Sequence, residues 1–492
     1  IDGHVHFFQS GGLYTRPDAI DLRAVRPYKE ELRRIKERLP DTFRRYLRSG
    51  VTSVVDVGGP MWNLDMRTRA DTAAMAPTVE VAGPLISSVS RPSLDRGDPP
   101  ILKITDPQAA RQEVREQVAA GVDLIKIWYI VRQGETPGNY RPVVDAVIDE
   151  AHSAGKRVAV HATELETARA AVEAGADVLV HSVFDTPVDE PFVRLLKEND
   201  VLYTPTLMVS ERYRETFAQQ LDFTTAEHRI GQKDVIASLF DLRMLPDSLV
   251  PAAFRQRIEQ APTIASDTVA MRNLKRLHDA GVPIVAGTDA GNIGTPHGPA
   301  LFREFELMRA GGLTPREILA TATAGGARLL GRDDLGHLTP GMQADLVVLN
   351  KNPLADLSNT SSLHRVVKAG RVYSPTQLVP RTPAAVVQQG ANAFNAYDLG
   401  GFLDAFSPDV KVYAHPDSLV MDGRTPLREQ YASSFQPTAD LHVDVLHTAP
   451  MGDTVVLHEV ITGGASGGPI EQVVLYRVAE GRIDTVWLVP QE

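Results

Sequence analysis

Eight short apolar runs, each bounded by turn-forming residues, recur through the first part of the chain and limit what it can fold into. Helical patterns that end on a glycine lie between several of them, as over residues 106–121, 141–155 and 164–175. Strands that alternate with helices pair in parallel through right-handed crossovers, and eight such units can close into a barrel. We therefore expect an α/β fold with a (β/α)8 TIM-like barrel over residues 1–331. The eight runs are IDGHVH, VTSVVDVG, TVEVAGPLIS, VDLIKIWY, RVAVHA, VLVHS, LYTPTLM and PIVAGTDA.

Four further segments depart from this alternation. A long helical insertion is predicted at residues 209–282, in the seventh connection. It could act as a lid over the site, or it could serve in packing or oligomer formation. Residues 332–373 carry short strands with turns, which indicates a small β-sandwich remnant. Three prolines mark residues 374–383 as a linker. Helical patterns followed by strands predict an α+β domain over residues 384–492.

The composition excludes several kinds of protein. A net charge of −11 argues against a nucleic-acid binder, which carries a basic surface for phosphates. No apolar run approaches the roughly 20 residues that span a bilayer, and the first residues lack the layout of a signal peptide, so no membrane association is expected. A cytoplasmic location is favoured, with a secreted or periplasmic one left open because the chain starts abruptly at Ile1. Because there is no cysteine, any metal must be held by His, Asp, Glu or Lys.

Six polar residues lie at or toward the carboxyl ends of predicted strands, the face on which barrel active sites form. His4 and His6 are two residues apart on one strand, so their side chains share a face and can converge on one point. A polar group on a packed barrel strand is costly unless it has a partner. Imidazoles and carboxylates suit zinc or a similar divalent ion, whereas a lysine ammonium would repel it. The six residues are His4, His6, Lys126, His161, His181 and Asp289.

The motifs DGHVH, DLIKIW, VAVHA, VLVHS and GTDA resemble the metal-ligand motifs of the amidohydrolase superfamily, in particular its prolidase-like, imidazolonepropionase-like branch. The resemblance runs over residues 1–373. It implies two divalent metal ions, with zinc expected, and a lysine carboxylated by carbon dioxide that bridges them. A mononuclear site with an unmodified lysine is the alternative. The ligands implied are His4, His6 and Asp289 for one ion, His161 and His181 for the other, and Lys126 for both.

The same resemblance implies a hydrolase that cleaves an amide or peptide-type C–N bond of a small-molecule substrate, as a dipeptidase or an N-acyl amino acid hydrolase does. A hydroxide held by the metal ions would attack the carbonyl, and Asp289 would accept its proton and return it to the leaving group. A lactone, an ester or a cyclic amide is an alternative substrate, because the same attack opens any activated carbonyl. A binding protein with a vestigial metal site is a further alternative.

Candidate substrate-binding residues follow the fourth and eighth predicted strands. Aromatic and cationic side chains after the fourth strand suit a carboxylate-bearing or aromatic substrate, with ordinary loop packing as the alternative. The stretch LISSVSRPSLDRG lacks the Gly-Gly-His that prolidase-like relatives often carry, so specificity for proline dipeptides is not implied. A histidine in the glycine-rich GNIGTPHGP is the remaining candidate. The candidates are Trp128, Tyr129, Arg132, Tyr140 and His297.

Two stretches of the C-terminal domain, NAYDLGGFLDAFSPDVKVY and GRIDTVWLV, resemble the SnoaL-like, ketosteroid-isomerase-like cone fold. Some members isomerise a substrate with an acid inside the cone. Tyr413, His415, Asp417 and His458 are polar candidates here but form no convincing pair of acid and base. We therefore expect a module for homo-oligomer formation or for substrate gating.

A last expectation concerns the start of the chain. Relatives carry strands before the IDGHVH motif that pair with strands like those at residues 345–373. We expect the native chain to extend before Ile1, or else the edge of those strands to be unpaired.

Overall fold

The computed structural model describes residues 1–250, 268–435, 441–463 and 468–489. The chain divides into two compact units, each assembled from two stretches of sequence. The first unit consists of residues 1–214 and 246–378, and the second of residues 215–245 and 379–492.

Two parallel sheets form the centre of the first unit, and most of their strands come from the predicted apolar runs. Three strands pair in the order β1-β2-β3 and six in the order β5-β4-β6-β7-β8-β9. Parallel strands alternating with helices are the arrangement of a TIM-barrel type fold. The strands are β1 (Asp2–Val5), β2 (Ser53–Asp56), β3 (Thr78–Val81), β4 (Leu85–Ser87), β5 (Ile101–Lys103), β6 (Ile125–Trp128), β7 (Val158–His161), β8 (Val178–Val180) and β9 (Leu202–Thr204).

The third predicted run differs from the structure because it forms two strands. It divides at Gly83 and Pro84 into β3 and β4, since proline lacks the N–H that a continuous ladder requires. The short strand β5, which the apolar pattern did not predict, pairs in parallel with β4.

The eighth predicted run makes isolated bridges instead of a regular strand. Ile284 bridges to Tyr203 of β9, and Ala290 bridges to Val5 of β1, both in parallel. Asp289 has a φ of 56°, which takes the backbone out of the extended conformation between these bridges. This segment therefore lies between β9 and β1 without forming a ladder with either.

The helices that follow the early strands end as the sequence predicts. Gly121, Gly155 and Gly175 have φ values of 91°, 67° and 101°, the left-handed conformation that closes a helix. None of the helices in the described ranges combines the length and the apolar character needed to cross a membrane. The first six helices are α1 (Tyr28–Arg48), α2 (Asn63–Thr72), α3 (Pro107–Ala120), α4 (Arg141–Ser153), α5 (Leu165–Glu173) and α6 (Glu190–Glu198).

The insertion predicted at residues 209–282 is divided between the two units. Its residues 215–245 belong to the second unit, and the helix that ends it belongs to the first. Residues 251–267 of the insertion lie outside the described residues. The helices of this region are α7 (Met208–Ala218), α8 (Thr225–Ile230), α9 (Lys233–Ser238) and α10 (Thr268–Asp279).

The first unit ends with three helices and a small antiparallel sheet in the order β10-β11-β12. The edge strand β10 leaves Val347 and Val348 44% and 42% exposed. The segment predicted as a linker contains one short helix. These elements are α11 (Ala300–Ala310), α12 (Pro315–Ala320), α13 (Gly326–Leu330), β10 (Leu346–Leu349), β11 (Leu363–Lys368), β12 (Arg371–Tyr373) and α14 (Pro375–Leu378).

A six-stranded sheet in the order β14-β13-β18-β17-β16-β15 forms the second unit together with helices that share its apolar core. The first predicted helix of this domain is two helices, interrupted where Tyr397 has a φ of 57°. All strand pairs are antiparallel except β13 with β18. The elements are α15 (Pro383–Asn395), α16 (Leu399–Asp404), β13 (Phe406–Ala414), β14 (Ser418–Asp422), α17 (Arg424–Tyr431), β15 (His442–Met451), β16 (Thr454–Thr462), β17 (Ile470–Ala479) and β18 (Arg482–Val489).

Candidate metal centre

Three side chains converge at the end of β1. His4 Nε2 lies 3.3 Å and His6 Nε2 lies 3.1 Å from Asp289 Oδ1. The two imidazole Nε2 atoms lie 3.3 Å apart. Ligand atoms held about 2.1 Å from a tetrahedral ion are about 3.4 Å from one another, so this spacing suits a single divalent ion.

Hydrogen bonds from neighbouring loops orient two of the imidazoles. His6 Nδ1 donates to the carbonyl oxygen of Gly58, just after β2, at 2.7 Å. His181 Nδ1 lies 2.7 Å from the hydroxyl of Thr206, just after β9. A histidine that gives its Nδ1 proton to such a partner presents the lone pair of Nε2 to a metal.

The second predicted pair of ligands adjoins the first. The rings of His161, at the end of β7, and His181, just after β8, have centroids 4.4 Å apart. The His181 ring also lies 4.9 Å from that of His4. The four histidines predicted from the strand ends therefore form one continuous group.

Lys126, on β6, supplies the most unusual side chain of the group. It is 1% exposed, and its Nζ has no hydrogen-bond partner among the described residues. Burial lowers the pKa of its ammonium to about 7, against the opposing attraction of Asp289. An amine buried without a partner is costly, and this one lies close enough to His4, His161, His181 and Asp289 for their charges to interact.

Burial also shifts the pKa values of the candidate ligands His4, His161, His181 and Asp289. It lowers the pKa of His4 to about 3 and holds the pKa values of His161 and His181 well below the ordinary value. Burial acts in the opposite direction on Asp289, but His4 and His6 outweigh it and hold the pKa of that carboxyl well below its usual range. Neutral imidazoles and an ionised carboxylate are the forms that bind a divalent ion.

Strained backbone and buried hydrogen bonds hold the candidate ligands in place. His181 has a φ of 75°, in the left-handed region that residues other than glycine seldom adopt, as does Asp289. Asp2 ties β1 to the segment carrying Asp289, because its carboxylate accepts hydrogen bonds from the backbone N–H and the hydroxyl of Thr288. Asp56 fixes the turn after β2 by accepting from the N–H of Gly58.

The structure brings one predicted substrate-binding residue close to the candidate metal ligands. The ring of Trp128 packs edge-on against His161, with centroids 5.8 Å apart. Arg132 is exposed, and its guanidinium donates to the carbonyl oxygen of Ser88 at 2.7 Å.

The other three predicted substrate-binding residues are buried and packed against the protein. Tyr129 and Tyr140 lie in the main apolar core with their rings 5.8 Å apart, and the hydroxyl of Tyr129 donates to the carbonyl of Pro137. Both ring nitrogens of His297 are engaged, one with Tyr46 and the other with the carbonyl of Gln9, each at 2.8 Å.

Sequence reasoning missed a polar cluster in the loop after β1. Arg16 is 17% exposed, and its Nη1 donates to Asn292, whose own amide donates to the carbonyl of Asp289. Its Nε and Nη2 donate to Asp18 at 2.8 and 2.7 Å. Arg91 also lies 3.6 Å from Asp18 and stacks on the Trp128 ring. The sequence offered one indication of this cluster, the location of its loop directly after a strand, because loops at the carboxyl ends of strands form such sites.

Two parts of the chain match known protein families. Residues 1–373 match the Amidohydrolase family, and residues 387–486 match the SnoaL-like domain. Ochratoxinase from Aspergillus niger is 26% identical over 285 residues, which cover 56% of this chain and 51% of that protein. The chain therefore spans about half the length of this relative.

A shorter sequence match and a solved structure are also similar to this chain. Imidazolonepropionase from Streptomyces avermitilis is 35% identical over 134 residues, covering 27% of this chain and 30% of that protein. A crystal structure of a Xaa-Pro dipeptidase with methionine bound in its active site aligns with a TM-score of 0.54 and 24% identity. It covers 76% of this chain and 85% of the dipeptidase, and it supports the fold.

Proposed function

This chain belongs to the amidohydrolase family, and on that premise we propose that it is a metal-dependent hydrolase of amide or peptide-type C–N bonds. The dipeptidase or N-acyl amino acid hydrolase type fits best. The observation that carries the proposal is the convergence of His4, His6 and Asp289 within 4.8 Å, with Lys126 buried close to them. Relatives named ochratoxinase and imidazolonepropionase, and a structural neighbour named a dipeptidase, support the reaction class.

The proposal includes a closed barrel of eight segments. The bridge from Ala82 to Leu124 joins the two parallel sheets at one side. At the other side, the N–H of Tyr203 donates to Pro283, and the N–H of Gly3 donates to Ala286, both at 2.9 Å. Closure would bring the carboxyl ends of all eight segments around the candidate metal centre.

Two divalent ions, with zinc expected, would be held by this centre. His4, His6 and Asp289 would ligate one ion, His161 and His181 the other, and a carboxylated Lys126 both. The buried, unpartnered Nζ of Lys126 supports carboxylation, because a carbamate removes the conflict between an ammonium and a metal. Such ions supply Lewis acidity and lower the pKa of water.

The protein's own groups would bind the substrate and move the proton. The carboxylate of Asp289 accepts a proton from the attacking water and returns it to the leaving nitrogen. Arg16 and Arg91 share one carboxylate, Asp18, so the pair carries an excess positive charge. Among the described residues, Arg16 uses three of its five N–H groups, which leaves two for a ligand. This excess favours a substrate with a free carboxylate over a lactone or a neutral ester.

Metal analysis of the purified protein tests the proposal. We expect about two divalent ions per chain, and the loss of at least one from His161→Ala and from Lys126→Ala. His152→Ala is the matched control, because that histidine pairs with Asp177 on the protein surface. A protein that binds no divalent ion would contradict the metal centre and leave the alternative of a vestigial site.

A substrate screen tests the reaction type with the same preparations. N-acyl amino acids and dipeptides should be hydrolysed, and their C-terminal amides should be poorer substrates because they lack the carboxylate. If the metal-loaded protein hydrolysed lactones or neutral esters faster, the alternative of a lactone or ester hydrolase would replace the proposed amide hydrolase. Hydrolysis that persists unchanged in Lys126→Ala would contradict the proposed site altogether.

A further inference from the structure

The second unit contains a cavity that is lined by three arginines. It has a volume of about 550 Å³ and lies at the turn between β17 and β18, beside the start of β13. The arginines come from distant parts of the sequence, because Arg229 belongs to α8, Arg381 precedes α15 and Arg482 begins β18. Cations that tertiary structure brings together repel one another unless negative charge balances them.

One carboxylate, that of Asp404 at the end of α16, lies among these guanidiniums. It accepts hydrogen bonds from Nε and Nη2 of Arg229, the first at 2.8 Å. Arg482 Nη2 lies 4.0 Å from Asp404 Oδ1, beyond the distance of a hydrogen bond. The charge of Asp404 also attracts Arg381. A single carboxylate set among three guanidiniums leaves the group with an excess of positive charge.

Arg381 shows this imbalance most clearly. Its Nε donates to the carbonyl oxygen of Gly481 at 2.9 Å, but its Nη2 is buried with no hydrogen-bond partner among the described residues. The turn packs closely on this side chain, because a Cβ at Gly481 would lie 3.2 Å from Arg381 Nε. Burial lowers the pKa of the guanidinium, and the charges of Arg229 and Arg482 lower it further against the attraction of Asp404. A buried charged donor without an acceptor is costly, so an anion placed here would stabilise the group.

The acidic residues that line the cavity are engaged with other groups or exposed to solvent. Asp484 accepts hydrogen bonds from Arg477 at 2.9 and 3.1 Å, and Asp409 accepts one from Ser407. Glu480 is exposed in the turn. These oxygens can accept hydrogen bonds from hydroxyl groups, so the lining suits a ligand that carries hydroxyls beside its anionic group.

We propose that this cavity binds a small phosphate monoester, with the phosphate group held by Arg229, Arg381 and Arg482. Such a group carries a charge of about −1.5 to −2 at neutral pH and offers three acceptor oxygens, which suits several guanidiniums better than one carboxylate does. The volume of about 550 Å³ leaves room for an organic part of the size of a sugar. The arginines belong to the second unit and the candidate metal ligands to the first, so this proposal does not depend on the proposed hydrolase.

Calorimetric titration of the full chain with glucose 6-phosphate and glucose 6-sulfate tests the proposal, because the two esters have similar shapes and the sulfate carries only a single charge. At about pH 7.5 the phosphate ester should bind at least about tenfold more tightly than the sulfate ester. This preference should shrink below about pH 6, where the phosphate loses its second charge. Arg381→Met and Arg482→Met should each weaken binding of glucose 6-phosphate by about fivefold or more, the effect of losing a hydrogen bond to a charged group.

The controls separate this cavity from other anion sites. Arg424→Met should leave binding unchanged, because Arg424 is a half-buried arginine that also donates to a backbone carbonyl, that of Leu403, but does not line the cavity. Arg482 is 40% exposed, so Arg482→Met should fold even if Arg381→Met does not. Inorganic phosphate that binds as tightly as the ester, and that both variants weaken, would support the site with free phosphate as its ligand. Binding that both variants leave unchanged, or that only Asp289→Ala abolishes, would overturn the proposal.

Discussion

At the scale of single residues, the candidate metal centre depends on groups that never touch a metal. The hydroxyl of Thr206 lies 2.7 Å from His181 Nδ1, and Thr206 itself has a φ of 44°. The next two residues are held by Glu304, whose carboxylate accepts their backbone N–H groups at 2.9 Å. A buried carboxyl group on α11 therefore holds the loop in which Thr206 contacts His181, the candidate ligand that follows β8.

Removing the hydroxyl that orients His181 should weaken metal binding without unfolding the protein. Thr206→Val keeps the side-chain volume but leaves His181 Nδ1 without its partner, and such changes cost about 10- to 100-fold in metal affinity. Titration with zinc in the presence of a competing chelator measures the loss. Thr204→Val is the matched control, because the Thr204 hydroxyl is buried with no hydrogen-bond partner among the described residues. Equal losses in both variants would show that the hydroxyl of Thr206 has no special role.

Glu304 should also make the stability of the protein depend on pH. Burial raises its pKa from 4.5 to about 8, although its two backbone hydrogen bonds oppose the shift. Between these values the folded protein keeps a proton that the unfolded chain releases, so stability falls as pH rises from 4.5 to about 8 and then levels off. Glu304→Gln should make this fall shallower in urea unfolding measured at several pH values. The exposed Glu135→Gln should leave it unchanged, and an unaltered slope in Glu304→Gln would contradict the assignment.

At the scale of secondary-structure elements, the strands that carry the candidate ligands were predictable from the sequence, but the contacts that bring these side chains together were not. The alternation in IDGHVH predicts that His4, on β1, and His6, just after it, point to the same side, and their Nε2 atoms lie 3.3 Å apart. The partner of His6, the carbonyl oxygen of Gly58, comes from a different loop 52 residues away, and no local sequence pattern predicts this contact. Arg16 lies in a loop without hydrophobic periodicity, so its hydrogen bond to Asn292 could not be predicted from the sequence either.

The eighth segment packs so closely on β1 that one of its residues must be glycine. A Cβ at Gly287 would lie 2.8 Å from His4 Cβ and 2.5 Å from Thr204 Cγ2. Gly287→Ala should push this segment away from β1, with a loss of about 1–3 kcal/mol in the free energy of unfolding and weaker metal binding. Thermal unfolding and zinc titration measure the two effects. Gly138→Ala, where the nearest atom is 3.5 Å away, is the control, and similar behaviour of the two variants would contradict the argument.

At the scale of the whole molecule, the chain builds its second unit from two distant stretches. The change of pattern near residue 383 was visible in the sequence, because prolines and then a helix followed by strands mark a new domain. That residues 215–245 join the same unit was not visible. Helices α8 and α9 are only six residues long each, and their association with residues far along the chain depends on tertiary contacts that leave no local signature.

The ion pair between Arg229 and Asp404 tests whether these two stretches unfold together. Arg229 Nε, in α8, donates to Asp404 Oδ2 at 2.8 Å, and Asp404 also accepts from Gln389. In calorimetric scans, Arg229→Met and Asp404→Asn should lower the same transition, with a coupling energy of about 0.5–3 kcal/mol in the double variant.

Removal of metal should identify the unfolding transition of the first unit, because the candidate ligands all belong to that unit. A chelator should therefore lower a transition that Arg229→Met leaves in place. Arg477→Met is the control, since Arg477 and its partner Asp484 both lie in the C-terminal stretch and Arg477 is 45% exposed, so its loss should cost under about 1 kcal/mol. If Arg229→Met and the chelator lowered one and the same transition, residues 215–245 would unfold with the metal centre, and the division of the chain into two units would not describe its unfolding.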